Sequence, residues 1–340
     1  MSEPAPGGER PALLEGKLDP QVLAPLLPVG AGLQAGVLIG PEVGEDAAVV
    51  AGAERLVLTS DPITLAGSEV GRYAVAVNCN DLVAMGAEPR YLTTSILVPP
   101  GTDGAALEAL FAELAAAADA AGVAWVGGHT EVTDAVARPV VVGAAVGVLA
   151  GEPWSSAGAR VGDALVLTKW AALEGTTLLA RERPDARAIL GPEHAAVARW
   201  LDDPGISVVA EGRVLRRFAI HAAHDPTEGG VAQGIHELAR CSGVAFEIDA
   251  PALPVKPATR TLCGALGIDP LGLLASGALL FTAAPEVAGA AAGALHEAGI
   301  AAAVIGSVHH GTGVTLCTGD RRTPLPSFPQ DEISRLGGTT

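Results

Sequence analysis

Asn80-Asp81-Leu82-Val83-Ala84-Met85-Gly86-Ala87-Glu88-Pro89 marks where a helix gives way to a strand. Upstream, Val75, Cys79, Leu82, Val83 and Gly86 recur at helical spacing, which predicts a helix over Gly71–Gly86 with one apolar stripe. Asn80 and Asp81 fall off that stripe. Downstream, Tyr91–Val98 reads as a strand closed by Pro99-Pro100-Gly101. A second helix is predicted over Ala105–Ala121, with Leu107, Leu110, Phe111 and Leu114 on one face and Gly122 as its stop. Ala124–Val126 then reads as a short buried strand, and Pro139–Leu149 as another.

The same alternation continues outward. Arg55–Thr59 is a strand ending at Ser60-Asp61-Pro62. After the polar run Gly151–Gly158, a strand at Ala164–Thr168 is followed by a helix from Glu174. Val231–Arg240 reads as a helix with Val231, Ile235, Leu238 and Ala239 inward. Strands follow near Val244–Ile248, Ala278–Thr282 and Ala301–Ile305, and the polar, Pro-rich tail Thr318–Thr340 is expected to pack loosely. Alternating strands and helices point to an α/β or α+β architecture in each half. The expected domains are residues 1–152 and 153–340.

A length of 340 residues suits about two domains. The chain carries 21 Lys+Arg against 38 Asp+Glu, a formal net charge of −17. That balance argues against nucleic acid as a partner, because phosphate backbones need clustered cations. With 49% apolar and only 17% charged residues, it is not a disordered acidic chain. Cys79, Cys241, Cys263 and Cys317 form no metal spacing, which reads as reduced, buried thiols. Neither Pro139–Gly151 nor Pro270–Pro285 is long enough to cross a bilayer, and Met1–Arg10 lacks an apolar signal core. The expectation is a cytoplasmic protein with no membrane partner.

No Walker loop, no G-x-G-x-x-G after a strand, no H-E-x-x-H and no G-x-S-x-G occurs. Instead, carboxylates stand at element ends: Glu45 and Asp46, Asp61, Asp81, then Asp225 and Glu228. Mg²⁺ binds through one or two carboxylates plus substrate phosphates, so dispersed acids that converge in space suit a metal–nucleotide site. The pair Gly229-Gly230 before a helix leaves backbone N–H groups open to an anion. Any single acid in a turn is ordinarily solvated or caps a helix. His129 alone is ordinarily a loop histidine, and His309-His310 face opposite ways on a strand and share no ion.

Together these segments resemble, in order, the PurM-like superfamily. It includes aminoimidazole ribonucleotide (AIR) synthetase, thiamine-monophosphate kinase, selenophosphate synthetase and the hydrogenase maturation factor HypE. The matching segments are Gly44-Glu45-Asp46-Ala47-Ala48, Thr59-Ser60-Asp61-Pro62, Asn80-Asp81-Leu82 with Met85–Pro89, Gly127-Gly128-His129-Thr130-Glu131, Asp225–Gly230 and Ser276–Leu280. The likeness spans roughly residues 35 to 310 and is nearest the HypE-related subgroup, with which the chain shares Gly16-Lys17-Leu18 and Glu174-Gly175-Thr176. It implies an α/β (α+β) two-domain fold. The N-terminal domain would close a β-barrel across a homodimer, beside a C-terminal αβ-plait domain.

Carried over by position, the resemblance implies Asp46, Asp61 and Asp81 as Mg²⁺ ligands. Asn80, Asp81, Gly127, Gly128, Thr130 and Lys169 would lie against ATP. His129, Glu131, Asp225 and Glu228 would serve catalysis, with Glu174 a further acid on that side. The implied activity is phosphoryl transfer that activates an oxygen of an acceptor substrate. The alternatives are a nucleotide-binding partner of maturation-complex proteins with little turnover, or a small-molecule kinase like thiamine-monophosphate kinase. Two departures stand out. His129 replaces the aspartate of HypE and the kinase, and imidazole is a poor Mg²⁺ ligand. The chain ends Leu336-Gly337-Gly338-Thr339-Thr340, without the terminal cysteine that accepts a carbamoyl group in HypE, so that cyanation chemistry is not expected.

Overall fold

A computed structural model describes residues 37–39, 44–45, 47–50, 55–64 and 69–336. Asp46 and the Gly16-Lys17-Leu18 lead-in lie outside the described residues. The first layer is a six-stranded sheet of β1 (Val37–Ile39), β2 (Ala48–Val50), β3 (Arg55–Ile63), β4 (Glu88–Val98), β5 (Ala124–Val132) and β6 (Val140–Leu149). Its order is β1-β2-β3-β6-β4-β5, antiparallel except for the parallel β4–β5 pair at one edge. A parallel pair needs a crossover, and α2 (Gly104–Ala121) supplies it. Helix α1 (Val70–Ala84) joins β3 to β4.

Helix α1 departs from the one-stripe expectation. It is buried on nearly every side, including Asn78, Asn80 and Asp81. Three contacts enclose it. A Cβ on Gly71 would meet Leu110 and Glu113 of α2, and one on Gly143 of β6 would lie 2.2 Å from the Asn78 amide nitrogen. Gly212 packs on Val83 from the second domain, in α6 (Val209–Leu215). Leu110, Leu114 and Ala118 of α2 are buried, whereas Phe111 stays partly exposed against Trp125, with ring centroids 5.5 Å apart.

The second sheet runs β13-β12-β9-β11-β7-β10-β8. Its strands are β7 (Ala164–Thr168), β8 (Ala222–His224), β9 (Ala245–Asp249), β10 (Leu280–Ala283), β11 (Ala302–His309), β12 (Gly313–Thr318) and β13 (Arg321–Pro324). Around it lie α3 (Leu173–Glu182), α4 (Ala186–Leu190), α5 (His194–Val197), α7 (Gly230–Ser242), α8 (Pro257–Leu266) and α9 (Pro285–Glu297). One hydrophobic cluster runs from Val57 and Leu82 through Val209 to Leu279 and Phe281, so the two layers share a core. No helix among the described residues is long and apolar enough to cross a membrane.

Two expectations are corrected. The segment expected as a short buried strand at Ala124–Val126 extends to Val132, and the strand is largely exposed. Over its described residues, which end at Leu336, the tail does not pack loosely. Leu325, Asp331 and Glu332 are buried, and Phe328 packs against Gly272. Its polar composition hid this, because the buried carboxylates are satisfied by backbone N–H groups, two of the three far away in sequence. Asp331 accepts from the Gly229 and Ile333 N–H groups at 2.9 Å each, and Glu332 from the Asp269 N–H at 2.9 Å.

Candidate functional site

Side chains alternate along β3, so Val57, Thr59, Asp61 and Ile63 share the face toward α1. The strand runs through Asp61-Pro62 rather than stopping before them. The Asp61 N–H donates to Asn78 Oδ1 at 3.0 Å, which fixes the strand end against the helix. Thr59 Oγ1 donates to Asp81 Oδ2 at 2.5 Å. Tyr73, Val77 and Asp81 follow at four-residue intervals on α1 and form one wall of a cavity.

That cavity, about 690 Å³, lies between the two layers. The N-terminal layer contributes Glu45, Asp61 and Asp81, and the C-terminal layer Glu174, Asp225, Glu228 and Asp331. Arg138 is the single cationic side chain on the lining among the described residues. Glu45 accepts from Ser155 Oγ at 2.5 Å, and Glu228 from Thr227 Oγ1 at 2.8 Å. Glu174 is buried, and desolvation pushes its carboxyl up to about 7, with Ser276 hydrogen bonds acting against the shift and the Glu228 and Asp331 charges adding to it. Burial likewise raises Asp331 to about 6, opposed by its backbone N–H donors. The Tyr73 phenol is raised well above its usual range, first by burial and then by Glu174.

Among the expected site residues, the structure brings together Asp61, Asp81, Asp225 and Glu228, with Glu174 beside them. Asn80 and Lys169 do not line the cavity. Asn80 Nδ2 donates to the Ile206 carbonyl at 2.8 Å, and its Oδ1 accepts from the Val208 N–H at 2.9 Å. Lys169 Nζ lies 2.7 Å from Glu211 Oε1 and donates to the Ser207 and Gly277 carbonyls at 2.8 and 2.9 Å. Both polar groups are therefore taken up inside the fold. The backbone at Gly229, expected to meet an external anion, is met by Asp331 of the same chain.

Gly127, Gly128, His129, Thr130 and Glu131 lie on exposed β5, in a strand rather than a loop. The glycine pair has a backbone reason. Both sit at φ near +150°, and a Cβ on Gly128 would come 1.9 Å from the Thr94 carbonyl oxygen. Register places Asp61 opposite Gly143, Gly143 opposite Thr94, and Thr94 opposite Gly128. Three inter-strand spacings of about 4.8 Å separate Asp61 from Gly128, roughly 14 Å. The segment 127–131 thus stands at the sheet edge, away from the acids of its own chain.

Sequence reading missed Tyr73, Arg138 and Asp331. Tyr73 carried a signal, since it lies eight residues before Asp81 and so on the same helix face. Asp331 carried none, because its role depends on a contact with Gly229 across 102 residues.

The chain matches the model of the AIR synthase related protein N-terminal domain over residues 44–149, and of its C-terminal domain over residues 160–317. It is 32% identical over 265 residues to carbamoyl dehydratase HypE of Rhizobium leguminosarum bv. viciae, covering 75% of this chain and 73% of that protein. A solved structure of hydrogenase maturation protein HypE in complex with ATP matches with a TM-score of 0.69 at 26% identity, over 87% of this chain and 90% of that one. A HypE–HypF complex matches with a TM-score of 0.70 at 25% identity, over 83% and 93% respectively.

Proposed function

The chain belongs to the AIR synthase-related family, and on that premise we propose that it is a cytoplasmic, HypE-like, Mg²⁺-dependent enzyme that uses ATP to activate an oxygen of an acceptor substrate. The observation that carries the reading is the cavity itself. Acids from both layers, Asp61 and Asp81 on one side and Asp225 and Glu228 on the other, face one space between the domains. The similarity to HypE, whose structure is known with ATP, supports a nucleotide as the occupant.

The donor set fits a hard divalent cation, because Asp61 and Asp81 offer oxygen ligands and Mg²⁺ needs only one or two carboxylates beside phosphate. Asp46 is the third position the family likeness implies. Magnesium bound there would offset phosphate charge. The protein's own work is positioning. Asn78 holds the Asp61 backbone, and Thr59 orients the Asp81 carboxylate. Asp225 and Glu228, at the approach to α7, face the space where phosphates and acceptor would meet.

The β5 edge completes this reading. In a homodimer, pairing through the exposed edge would close a barrel and carry Gly127, Gly128, His129, Thr130 and Glu131 toward the partner's cavity. Its open strand, with Val126 and Val132 more than half exposed, supports that pairing. The test is phosphate release from ATP with Mg²⁺, alone and with the protein components of a maturation complex, beside calorimetric binding of a nonhydrolysable analogue. Asp61→Asn is expected to abolish Mg²⁺-dependent nucleotide binding. Unchanged binding in that variant overturns the reading.

A further inference from the structure

We propose that the end of the cavity formed by Tyr73, Glu174 and Asp331 is the acceptor subsite, and that it takes a small molecule carrying a protonated amine or amidinium. The inference rests on the reading of the other end as a nucleotide site. Tyr73 and Asp81 stand eight residues apart on α1, which is about 12 Å along the helix axis. The cavity therefore has two ends, one at Asp61 and Asp81 and one at Tyr73 and Glu174.

Two buried polar atoms at the second end lack partners among the described residues. Glu174, 6% exposed, leaves Oε2 without a hydrogen bond, and Tyr73, 3% exposed, leaves its hydroxyl without one. A buried carboxylate with an open acceptor is costly unless a donor or a cation meets it. Among the described residues nothing cationic on the lining does so, since Arg138 is exposed and Glu228 and Asp331 add like charge. A ligand group with N–H donors and positive charge answers all of these groups at once.

A second metal ion fits less well. Asp331 already accepts two backbone N–H groups. Val77, Leu178 and Leu274 supply apolar wall where a hydrated Mg²⁺ would need oxygen. An organic cation uses such a wall, as binding pockets commonly combine apolar lining with a few placed polar groups.

The test uses the full chain and acetamidinium chloride, followed by ligand-observed NMR at fixed ionic strength near pH 8, with acetamide as the neutral isostere. Acetamidinium is expected to bind about tenfold or more tightly than acetamide, a difference of about 1.4 kcal/mol. Glu174→Gln is expected to remove that preference, and Tyr73→Phe to weaken acetamidinium binding, while both variants keep Mg²⁺-nucleotide affinity. Equal binding of the two probes, no acetamidinium binding, or a preference that survives Glu174→Gln overturns the proposal. So does one-for-one displacement of acetamidinium by Mg²⁺ alone. If Glu174→Gln does not fold, the wild type decides, because its acetamidinium affinity must fall as pH drops below 7. Asp61→Asn separates the two readings. It should lose nucleotide and keep acetamidinium, so failure at one end is not failure at the other.

Discussion

Asn80 and Lys169 hold the same three residues from opposite domains. Asn80, on α1, takes the Ile206 carbonyl and the Val208 N–H, and Lys169, just after β7, takes the Ser207 carbonyl between them. The segment 206–208 is thereby fixed at the domain junction. Asn80→Ala would leave a buried carbonyl and a buried N–H unmet, at about 1–3 kcal/mol each. Urea denaturation should show a loss of about 2–6 kcal/mol. An unchanged denaturation midpoint with weakened nucleotide binding would show instead that Asn80 serves the ligand directly.

Lys169 also carries the charge that Glu211 faces inside the core, where Glu211 is 1% exposed. Removing one member of a buried pair strands the other charge, at about 3–5 kcal/mol, whereas replacing both by apolar groups is often near neutral. Lys169→Met should therefore destabilise strongly, and Lys169→Met with Glu211→Met should recover most of that loss. The double-mutant cycle in denaturant measures the difference. Additive losses would show that the two side chains act separately.

Much of the candidate site's convergence was legible, for a physical reason. Asp61, Asp81, Asp225 and Glu228 stand at element ends in short, ordered segments, and element ends on one side of layered domains converge. The fold followed from the same periodicities, with β7 and α2 ending where the patterns end. Asn80 misled because a polar residue beside Asp81 reads as a ligand, while its buried surroundings are visible only in three dimensions. Asp331 was invisible for the converse reason. A carboxylate in a polar tail carries no mark of the helix start it will cap. The Gly127-Gly128 pair reads as a turn from composition, but its cause is the approach of β5 to Thr94.

That approach predicts a contrast between neighbouring glycines. Gly128→Ala would drive a methyl into the Thr94 backbone, whereas a Cβ on Gly127 meets nothing within 4 Å. Both substitutions strain a positive φ, at about 1–3 kcal/mol. Only Gly128→Ala must also push β5 off β4. Thermal unfolding should rank Gly128→Ala well below Gly127→Ala, with loss of the tryptophan signal from Trp125, whose Nε1 donates to Thr94 Oγ1 at 3.1 Å. Equal stabilities would mean that β5 shifts freely.

Glu174 should set part of the pH dependence of stability. Its folded carboxyl titrates near 7, above the ordinary carboxylate range. Between the unfolded and folded values the native state holds the extra proton, so stability falls as pH rises through that window. Below it, both states are protonated and the group contributes nothing. Glu174→Gln should match the wild type near pH 4 and exceed it by about 1–3 kcal/mol near pH 8, where the buried carboxylate is ionised. Asp331, raised to about 6, adds a slope of the same sign at slightly lower pH and remains in the variant. A variant less stable than the wild type at pH 8 would mean that the ionised carboxylate is compensated in the free protein.

The placement of His129 allows a test of the shared site. If each cavity is completed by β5 of the partner subunit, Asp61→Asn and His129→Ala damage different halves of it. Mixing and re-equilibrating the two inactive dimers gives hybrids in about half the molecules, each with one intact site. Activity should return to about a quarter of the wild-type value, since half the sites in half the dimers are whole. Recovery requires exchange of subunits, so crosslinking before mixing must abolish it. If re-equilibrated mixtures stay inactive while sedimentation shows hybrids, both residues serve the same protomer's cavity and the edge of β5 is not part of its neighbour's site.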